Sequence, residues 1–172
     1  MNNLRINNMN SEKMIITGIV AHGICSKCGT KRILYFTPDG MNMYGERVVS
    51  TRSGNHFAYV NLLSETIIPE IDDYCHQIFK EKEINYSETK IGRIVSDIYG
   101  VSCDKIEKEN VDTIPPIRCP NCMECTMVEE KEFGEQIQKI EMDNVTHDYW
   151  NSLSSEERKK RVFVELKRQR YI

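Results

Sequence analysis

The stretch Cys25-Ser26-Lys27-Cys28-Gly29 sets two cysteines three positions apart, and a second such pair, Cys119-Pro120-Asn121-Cys122, follows 91 residues after Cys28. A C-x2-C turn can direct both sulfurs at one metal ion, because its backbone curls so that amide N–H groups point back at the thiolates. Zinc in structural sites takes four such ligands in tetrahedral geometry, at about 2.3 Å. The sequence therefore predicts one structural zinc ion held by Cys25, Cys28, Cys119 and Cys122, with most of the fold strung between the two pairs.

Turn chemistry beside each pair supports this prediction. Gly29 follows the first pair directly, where a sharp turn needs a residue that tolerates positive φ. Pro120 fixes φ inside the second pair. Cys125 continues the spacing and is an alternative ligand, and His22 is a second alternative. Disulfides or reduced thiols remain the alternative to a metal, because zinc-binding pairs usually lie only ~15–20 residues apart.

The other cysteines and histidines carry no pattern of their own. Cys75 falls on an apolar stripe and is predicted to be a small buried residue. No role is predicted for Cys103, His56, His76 or His147.

Length and cysteine content bound the class of protein. The chain has 172 residues, enough for one domain with a real core, and seven cysteines, an odd number. Residues 1–10 are polar and rich in Asn, and Met14–Ala21 is too short and too interrupted for a membrane helix. These features predict a protein of the reducing cytoplasm, without a secretory leader or membrane span, where clustered cysteines indicate metal more often than disulfides.

The net charge of −3 is unevenly distributed. Residues 1–60 hold seven basic and three acidic residues, residues 61–153 hold nine and twenty, and residues 154–172 hold seven and three. The segment charges are therefore +4, −11 and +4. This distribution excludes a uniformly basic nucleic-acid-binding protein and permits a local basic surface.

Residue patterns predict a β-rich part around the two cysteine pairs, after a flexible leader at 1–13. Alternating and β-branched runs predict strands at 14–20, 31–37, 47–51, 56–62, 126–132 and 135–142, the last with a short helix as its alternative. Turns are predicted at 38–40, 52–55 and Gly134. The segment 111–117 reads as an extended connector to the second pair.

Apolar residues then recur at helical spacing, which predicts a helical insertion at about 64–110. A first helix is expected over about 66–82, capped by Ser64 or Thr66, and a second from Ser87 to Ile98. A short third helix from Ser102 to Ile106 would resemble a helix-turn-helix. The carboxylates of Cys103–Glu109 would repel phosphates, so a plain helical hairpin is the preferred prediction and a DNA-reading helix is the alternative.

The C-terminal segment 146–172 is predicted to be helical and basic. Residues 146–150 begin a helical turn with Trp150 as a hydrophobic anchor, and Ser154 with Glu157 forms a capping box for a helix that ends near Arg170. Val162, Phe163 and Leu166 make a narrow apolar stripe. The helix is expected either to dock on the domain with its polar face in solvent or to meet a phosphate backbone or an acidic protein surface.

The two cysteine pairs resemble the knuckles of the zinc-ribbon superfamily. The resemblance covers about thirty residues, and Met123 stands where a glycine often follows the second pair. It implies an antiparallel β part pinned by structural zinc. It also implies an association with transcription, translation or other nucleic-acid machinery, or a protein-adaptor role.

The predicted fold class is α+β, with a zinc-ribbon-like antiparallel part, a helical insertion and a basic C-terminal helix. The predicted function is a non-enzymatic, zinc-stabilised binding or regulatory protein whose partner is nucleic acid or a nucleic-acid-processing complex. The alternatives are a protein adaptor or inhibitor of phage or mobile-element type, which would use the acidic middle segment, and a nuclease built on Glu88-Thr89-Lys90. The candidate binding residues are Lys27, Lys31, Arg32, Arg47, Arg52, Arg158, Lys159, Arg161, Lys167, Arg168 and Arg170.

Overall fold

The computed structural model describes residues 13–36, 45–129 and 136–172. Its elements in chain order are β1 (Met14–Cys25), β2 (Lys31–Phe36), β3 (Glu46–Thr51), β4 (Phe57–Asn61), α1 (Ile68–Glu81), α2 (Glu88–Ile98), a 3-10 turn (Tyr99–Ser102), β5 (Val111–Asp112), β6 (Met127–Glu129), β7 (Gln136–Met142), α3 (Asp148–Ser152) and α4 (Ser155–Arg168). The predicted leader except Lys13, the turn at 38–40, the end of the strand at 130–132 and the turn at Gly134 lie outside the described residues. The described part is a mixed α+β fold with antiparallel sheets, as predicted.

The first sheet is built around β1, which pairs antiparallel with β2, β6 and β7. β7 covers the first half of β1, from Met14 to Val20, and β6 covers its end, from Gly23 to Cys25. β1 was predicted to end at Val20. It continues to Cys25 because its second half has a partner strand on each side. The predicted strand at 135–142 is confirmed in preference to a helix.

The second sheet has the order β4-β3-β5. The predicted hairpin of β3 and β4 is confirmed, with Ser50 opposite Phe57 next to the loop. The predicted connector 111–117 is not extended coil throughout, because its first two residues form β5 and pair with the end of β3. A single parallel bridge from Tyr59 to Asn144 links β4 to the residues just after β7.

The helical insertion contains α1 and α2, packed over the second sheet. Ser87 caps α2 as predicted, accepting a hydrogen bond from the Lys90 amide. The predicted cap of α1 by Ser64 or Thr66 is wrong. The N-cap is Ile67, which makes no side-chain cap, and the proline near the N-terminus starts the helix through its fixed φ instead.

The predicted short helix after Gly100 is also wrong, and with it the helix-turn-helix. Tyr99–Ser102 forms a 3-10 turn, and the chain is extended at Cys103. Glu107 and Lys108 both have positive φ, within a tight turn closed by hydrogen bonds between Ile106 and Glu109. Such a turn cannot present a recognition helix.

The main core unites the second sheet with all of the helices. Val162 and Leu166 of α4 have no exposed surface and pack in the same apolar cluster as Ile71 of α1 and Ile94 of α2. Trp150 of α3 joins this cluster at 1% exposure. The capping box of Ser154 and Glu157 is present. The C-terminal helix is thus docked on the domain through its apolar stripe, which was the first of its two predicted arrangements.

None of the helices in the described ranges combines the length and the apolar content that crossing a bilayer requires.

Candidate metal centre

The two cysteine pairs form turns of the same geometry. In the first, the Gly29 amide donates to the Cys25 carbonyl at 2.9 Å, and the Cys25 amide donates to the Thr30 carbonyl at 2.9 Å. The second repeats both bonds at equivalent positions. There the Met123 amide donates to the Cys119 carbonyl at 2.9 Å, and the Cys119 amide donates to the Glu124 carbonyl at 2.8 Å. We call these turns the first and second knuckles.

The register of the first sheet brings the knuckles together. The first knuckle follows β1 and the second precedes β6, and these strands pair with Cys25 opposite Met127. The Ser26 amide also donates to the Thr126 carbonyl at 3.0 Å. The sulfurs are close in space although ninety residues separate Cys28 from Cys119, because the two knuckles lie at the ends of neighbouring strands.

The four predicted sulfurs form one cluster. Their Sγ atoms all lie within 4.8 Å of one another, with 3.7 Å between Cys25 and Cys122 and 3.6 Å between Cys28 and Cys119. Four sulfurs around zinc at about 2.3 Å would be about 3.8 Å apart. A disulfide would need an S–S distance of about 2.05 Å, and all seven cysteines are free. The cluster is therefore compatible with one metal ion, and none of its cysteines forms a disulfide.

Hydrogen bonds prepare the sulfurs for negative charge. The Thr126 hydroxyl lies 3.0 Å from the Cys25 sulfur and lowers the pKa of that thiol. The Thr30 hydroxyl and amide lower the pKa of Cys28 to about 6. Burial raises the pKa of Cys119 to about 11, although amide N–H groups of its own knuckle act in the opposite direction. The backbone thus turns amide donors towards the sulfurs, as the C-x2-C pattern predicts.

The alternative ligands do not join the cluster. Cys125 is exposed, and neither it nor His22 belongs to the group whose ligand atoms converge. Cys75 and Cys103 are buried in the main core, where burial raises the pKa of each to about 12. Within the described ranges, no other group of three or more His, Cys, Asp or Glu side chains has ligand atoms close enough to share an ion.

No known family, curated protein or solved structure matches this chain. The interpretation of the site therefore depends on its own geometry.

Thr30 and Thr126 are site residues that the sequence reasoning missed. The only signal in the sequence is position, since Thr30 stands two residues after Cys28 and Thr126 one residue after Cys125. A hydroxyl that close to a cysteine can reach a sulfur of either knuckle, and the Thr126 hydroxyl also lies 3.9 Å from the sulfur of Cys122.

Arg118 is a third missed residue, and it ties the second knuckle to the helical core. Its Nε donates to the Met123 carbonyl at 3.0 Å, and its Nη1 donates to the Tyr171 hydroxyl at 3.0 Å and to Gln169 at 3.3 Å. Its guanidinium also lies 5.2 Å from the centre of the Tyr171 ring. The Arg118 side chain therefore connects the second knuckle to the residues that follow α4.

Two exposed cations flank the knuckles. Lys27 of the first knuckle and Arg170 after α4 each lie 3.0 Å from the same oxygen of Glu124 in the second knuckle. Negative charge on Glu124 raises the pKa of Lys27, and a smaller contribution comes from Cys122. One carboxylate thus faces two cations at the edge of the cluster.

Most basic side chains of α4 are paired inside the molecule. Arg158 contacts Glu70 at 2.9 Å, and Lys159 contacts Glu81 at 2.7 Å. Arg161 lies over the Tyr149 ring, and Arg168 contacts Glu165 and Asp112. Lys167 is exposed at the helix surface. These pairings bring much of the predicted basic surface into the interface between α4 and the core.

The N-terminal candidates are scattered. Arg32 is 7% exposed and donates to Ser50 at 2.7 Å, Arg47 donates to Ser96, and Arg52 lies 3.9 Å from Asp112. Lys31 is exposed on β2. Arg32 therefore contacts β3 and Arg47 contacts α2, whereas Arg52 also lies 3.8 Å from Glu165 of α4.

Proposed function

We propose that this protein is a non-enzymatic, zinc-stabilised binding protein associated with nucleic-acid machinery. The observation that carries the proposal is the convergence of four cysteine sulfurs from two equivalent knuckles. Four thiolates fill the coordination sphere of zinc and leave no open position for water or substrate, which is the arrangement of structural sites rather than catalytic ones. Zinc bound there would clamp β1 to the start of β6.

Zinc binding at this site would contribute directly to folding. The first and second knuckles each need the other, because neither supplies more than two sulfurs. In the described residues they are joined by the short β1–β6 pairing, a few polar contacts and a small apolar cluster that contains Cys25 and Cys119. Metal binding free energy in such sites is of the order of 10 kcal/mol and appears as folding free energy.

The association with nucleic acid is supported by the resemblance to zinc-ribbon knuckles and by the cations beside them. Lys27, Lys31, Lys167 and Arg170 are exposed, and Lys27 and Arg170 share a single carboxylate. Cations of this kind bind phosphates by releasing counterions, so the affinity should fall with salt.

Fluorescence anisotropy with labelled ~20-nucleotide DNA and RNA, at about 50 and 200 mM salt, tests the association. The zinc-loaded chain should bind in the micromolar range at low salt, and Lys27→Gln with Lys167→Gln should weaken binding. Lys80→Gln on α1 is the matched control and should leave it unchanged. Absence of binding at low salt would overturn the nucleic-acid part of the proposal and leave the structural zinc site standing.

A protein adaptor is the second candidate, and the surface of α1 favours it. This helix carries four carboxylates and one lysine. Glu70 and Glu81 are paired with α4, whereas Asp73 is exposed and could meet a basic partner protein. A complex with a defined basic protein that moderate salt dissociates, and that Asp73→Asn weakens, would favour this candidate over nucleic acid.

Glu88 and Lys90, the residues of the nuclease-like motif, do not belong to a metal-ligand cluster among the described residues. Glu88 is the first residue of α2, and its carboxylate lies 3.4 Å from His76. The Lys90 ammonium lies 5.4 Å from the centre of the Tyr171 ring. Glu88 thus contacts His76 of α1, and Lys90 contacts the ring of Tyr171 after α4.

A further inference from the structure

A cleft of about 890 Å³ lies between the two sheets and α2. Strands β2 and β3 supply one wall, α2 supplies the other, and residues 112–116 close one side. None of the cysteines lines it. Its volume falls in the range of small-molecule sites, about 300–1,000 Å³.

The side chains that line the cleft carry an excess of positive charge. Four are cations, namely Arg32, Arg47, Lys90 and Arg93, and two are carboxylates. Each of the two carboxylates, Asp97 and Asp112, has a cationic partner outside the cleft. Asp97 accepts a hydrogen bond from the Tyr171 hydroxyl and lies 4.0 Å from Arg118. Asp112 is paired with Arg168 at 3.2 Å.

The cleft cations have weaker partners. Asp97 attracts Arg47 and Lys90 at longer range, and Lys90 also lies over the Tyr171 ring. In the parts of the chain that the structure describes, Arg47, Lys90 and Arg93 have no carboxylate oxygen within 4.0 Å. Arg47 donates one hydrogen bond to the Ser96 hydroxyl. Its remaining donors are therefore available to a ligand.

Buried hydrogen-bond donors of Arg32 are an independent reason to expect a ligand in the cleft. Its side chain lines the cleft, is 7% exposed, and uses Nη2 to bind Ser50 at 2.7 Å. Its Nε and Nη1 are buried and have no hydrogen-bond partner among the described residues. Asp112 attracts this guanidinium only at longer range. Buried donors without acceptors are costly, and a guanidinium is the group best suited to bind a phosphate through two parallel bonds.

An aromatic pair lies in the same cleft. The rings of Tyr35 and Phe57 have centroids 5.4 Å apart at an angle of 47°, and both residues line the wall formed by the strands. A flat ring can pack against such a pair while an attached phosphate reaches the arginines.

We propose that this cleft binds a phosphate-bearing ligand with a planar ring, of the size of a mononucleotide, with Arg32 and Arg47 as the phosphate-binding residues. The phosphate can come from a free nucleotide or from the 5′-phosphorylated end of a nucleic acid, and the chemistry of recognition is the same. This site goes beyond the metal centre and beyond binding of a phosphate backbone by the exposed lysines.

Isothermal titration calorimetry on the zinc-loaded full chain tests the proposal. The probes are the four ribonucleoside 5′-monophosphates, their unphosphorylated nucleosides, and a tetranucleotide with or without a 5′-phosphate. At least one phosphorylated probe should bind at least about tenfold more tightly than its unphosphorylated counterpart, the factor expected for one charge-assisted hydrogen bond. Preference for the monophosphate or for the tetranucleotide identifies the source, and either result supports the site.

Variants locate the binding. Arg47→Gln and the exposed Arg93→Gln should each weaken binding of the phosphorylated probe, and Arg32→Lys should weaken it most, while Lys80→Gln should have no effect. Far-UV circular dichroism and zinc content report folding, and Arg93→Gln keeps the test valid if Arg32→Lys does not fold. Equal affinity for nucleosides and nucleotides, binding unchanged by Arg47→Gln and Arg93→Gln, or no binding of any phosphorylated probe at 1 mM (about the weakest affinity worth measuring) would overturn the proposal.

Discussion

Met123 occupies in the second knuckle the place that Gly29 occupies in the first. Gly29 has φ of 71° and Met123 has φ of 60°, and the amide of each donates to the carbonyl four residues earlier. A residue with a side chain adopts this conformation only at a cost of about 1–2 kcal/mol. The absence of the expected glycine after the second pair therefore does not change the turn, because the surrounding contacts hold Met123 in the left-handed region.

Glycine-to-alanine substitutions at two positions should have opposite effects. A Cβ added at Gly29 or at Gly92 meets nothing within 4 Å, so neither substitution creates a steric clash. Only Gly29 has positive φ, whereas Gly92 lies inside α2. We expect Gly29→Ala to lower the free energy of unfolding by about 1 kcal/mol and Gly92→Ala to raise it by about 0.5–1 kcal/mol. Urea unfolding with saturating zinc measures both, and a neutral Gly29→Ala would contradict the knuckle geometry.

Loss of the Arg118 side chain should destabilise the whole molecule. Its guanidinium is 13% exposed and holds Met123, Gln169 and Tyr171 together, beside Asp97. Arg118→Met should cost about 2–3 kcal/mol, because several charge-assisted hydrogen bonds are lost and Asp97 loses its Arg118 ion pair while Arg47 and Lys90 act on it only at longer range.

Arg170→Met is the matched control for Arg118→Met. Its side chain is 61% exposed and makes one ion pair, so we expect a cost below about 1 kcal/mol. Thermal unfolding of the two variants in the presence of zinc separates them. Equal effects would show that the link between the second knuckle and the end of α4 is not stabilising.

Glu70 should make stability depend on pH on the acid side. Burial raises its pKa, but hydrogen bonds from Trp150, Arg158 and Tyr74 outweigh burial and hold the pKa below its ordinary value. A carboxyl with a lowered folded pKa contributes stability that is fully present above its unfolded pKa, about 4.3, and is lost as the pH falls through the lower folded value.

The comparison of wild type with Glu70→Gln measures that contribution. The difference in free energy of unfolding should be constant above about pH 5 and shrink below about pH 4. Protonation of the cysteines in acid affects both proteins and cancels in the difference. A difference that stays the same down to about pH 3 would contradict the assigned role of Glu70.

Local chemistry made the cysteine cluster predictable from the sequence. Each C-x2-C turn fixes two sulfurs within four residues, and the flanking Gly29 and Pro120 agree with it. Helix spacing likewise predicted α1, α2 and α4, and the capping residues Ser87 and Ser154 marked two starts correctly. Pro120 also favoured Cys119 with Cys122 over Cys122 with Cys125 as the second pair of ligands.

Contacts between distant segments were not predictable. Arg158 and Glu70 are 88 residues apart in sequence, so no local pattern shows that this cation of α4 is paired inside the molecule. The same applies to Arg32, which reads as a surface cation on a β-strand but is covered by the second sheet.

The segment after Gly100 shows the same limit. Asp104 accepts hydrogen bonds from the amides of Asp148 and Tyr149 and from the Thr146 hydroxyl, and these bonds lower its pKa against the effect of burial. This carboxylate binds the first amides of α3, and the backbone at the preceding Cys103 is extended. Helix propensity of the segment itself gives no sign of that role.

The metal content of purified protein tests the central claim most directly. Mass spectrometry of metals should find one zinc per chain in the wild type and in Cys125→Ser, whose sulfur lies outside the cluster. Cys119→Ser should lose most of the zinc and unfold at a lower temperature, since a buried ligand is missing. Wild-type protein without metal, or a Cys125→Ser variant that loses zinc while Cys119→Ser keeps it, would contradict the assignment of these four cysteines to one ion.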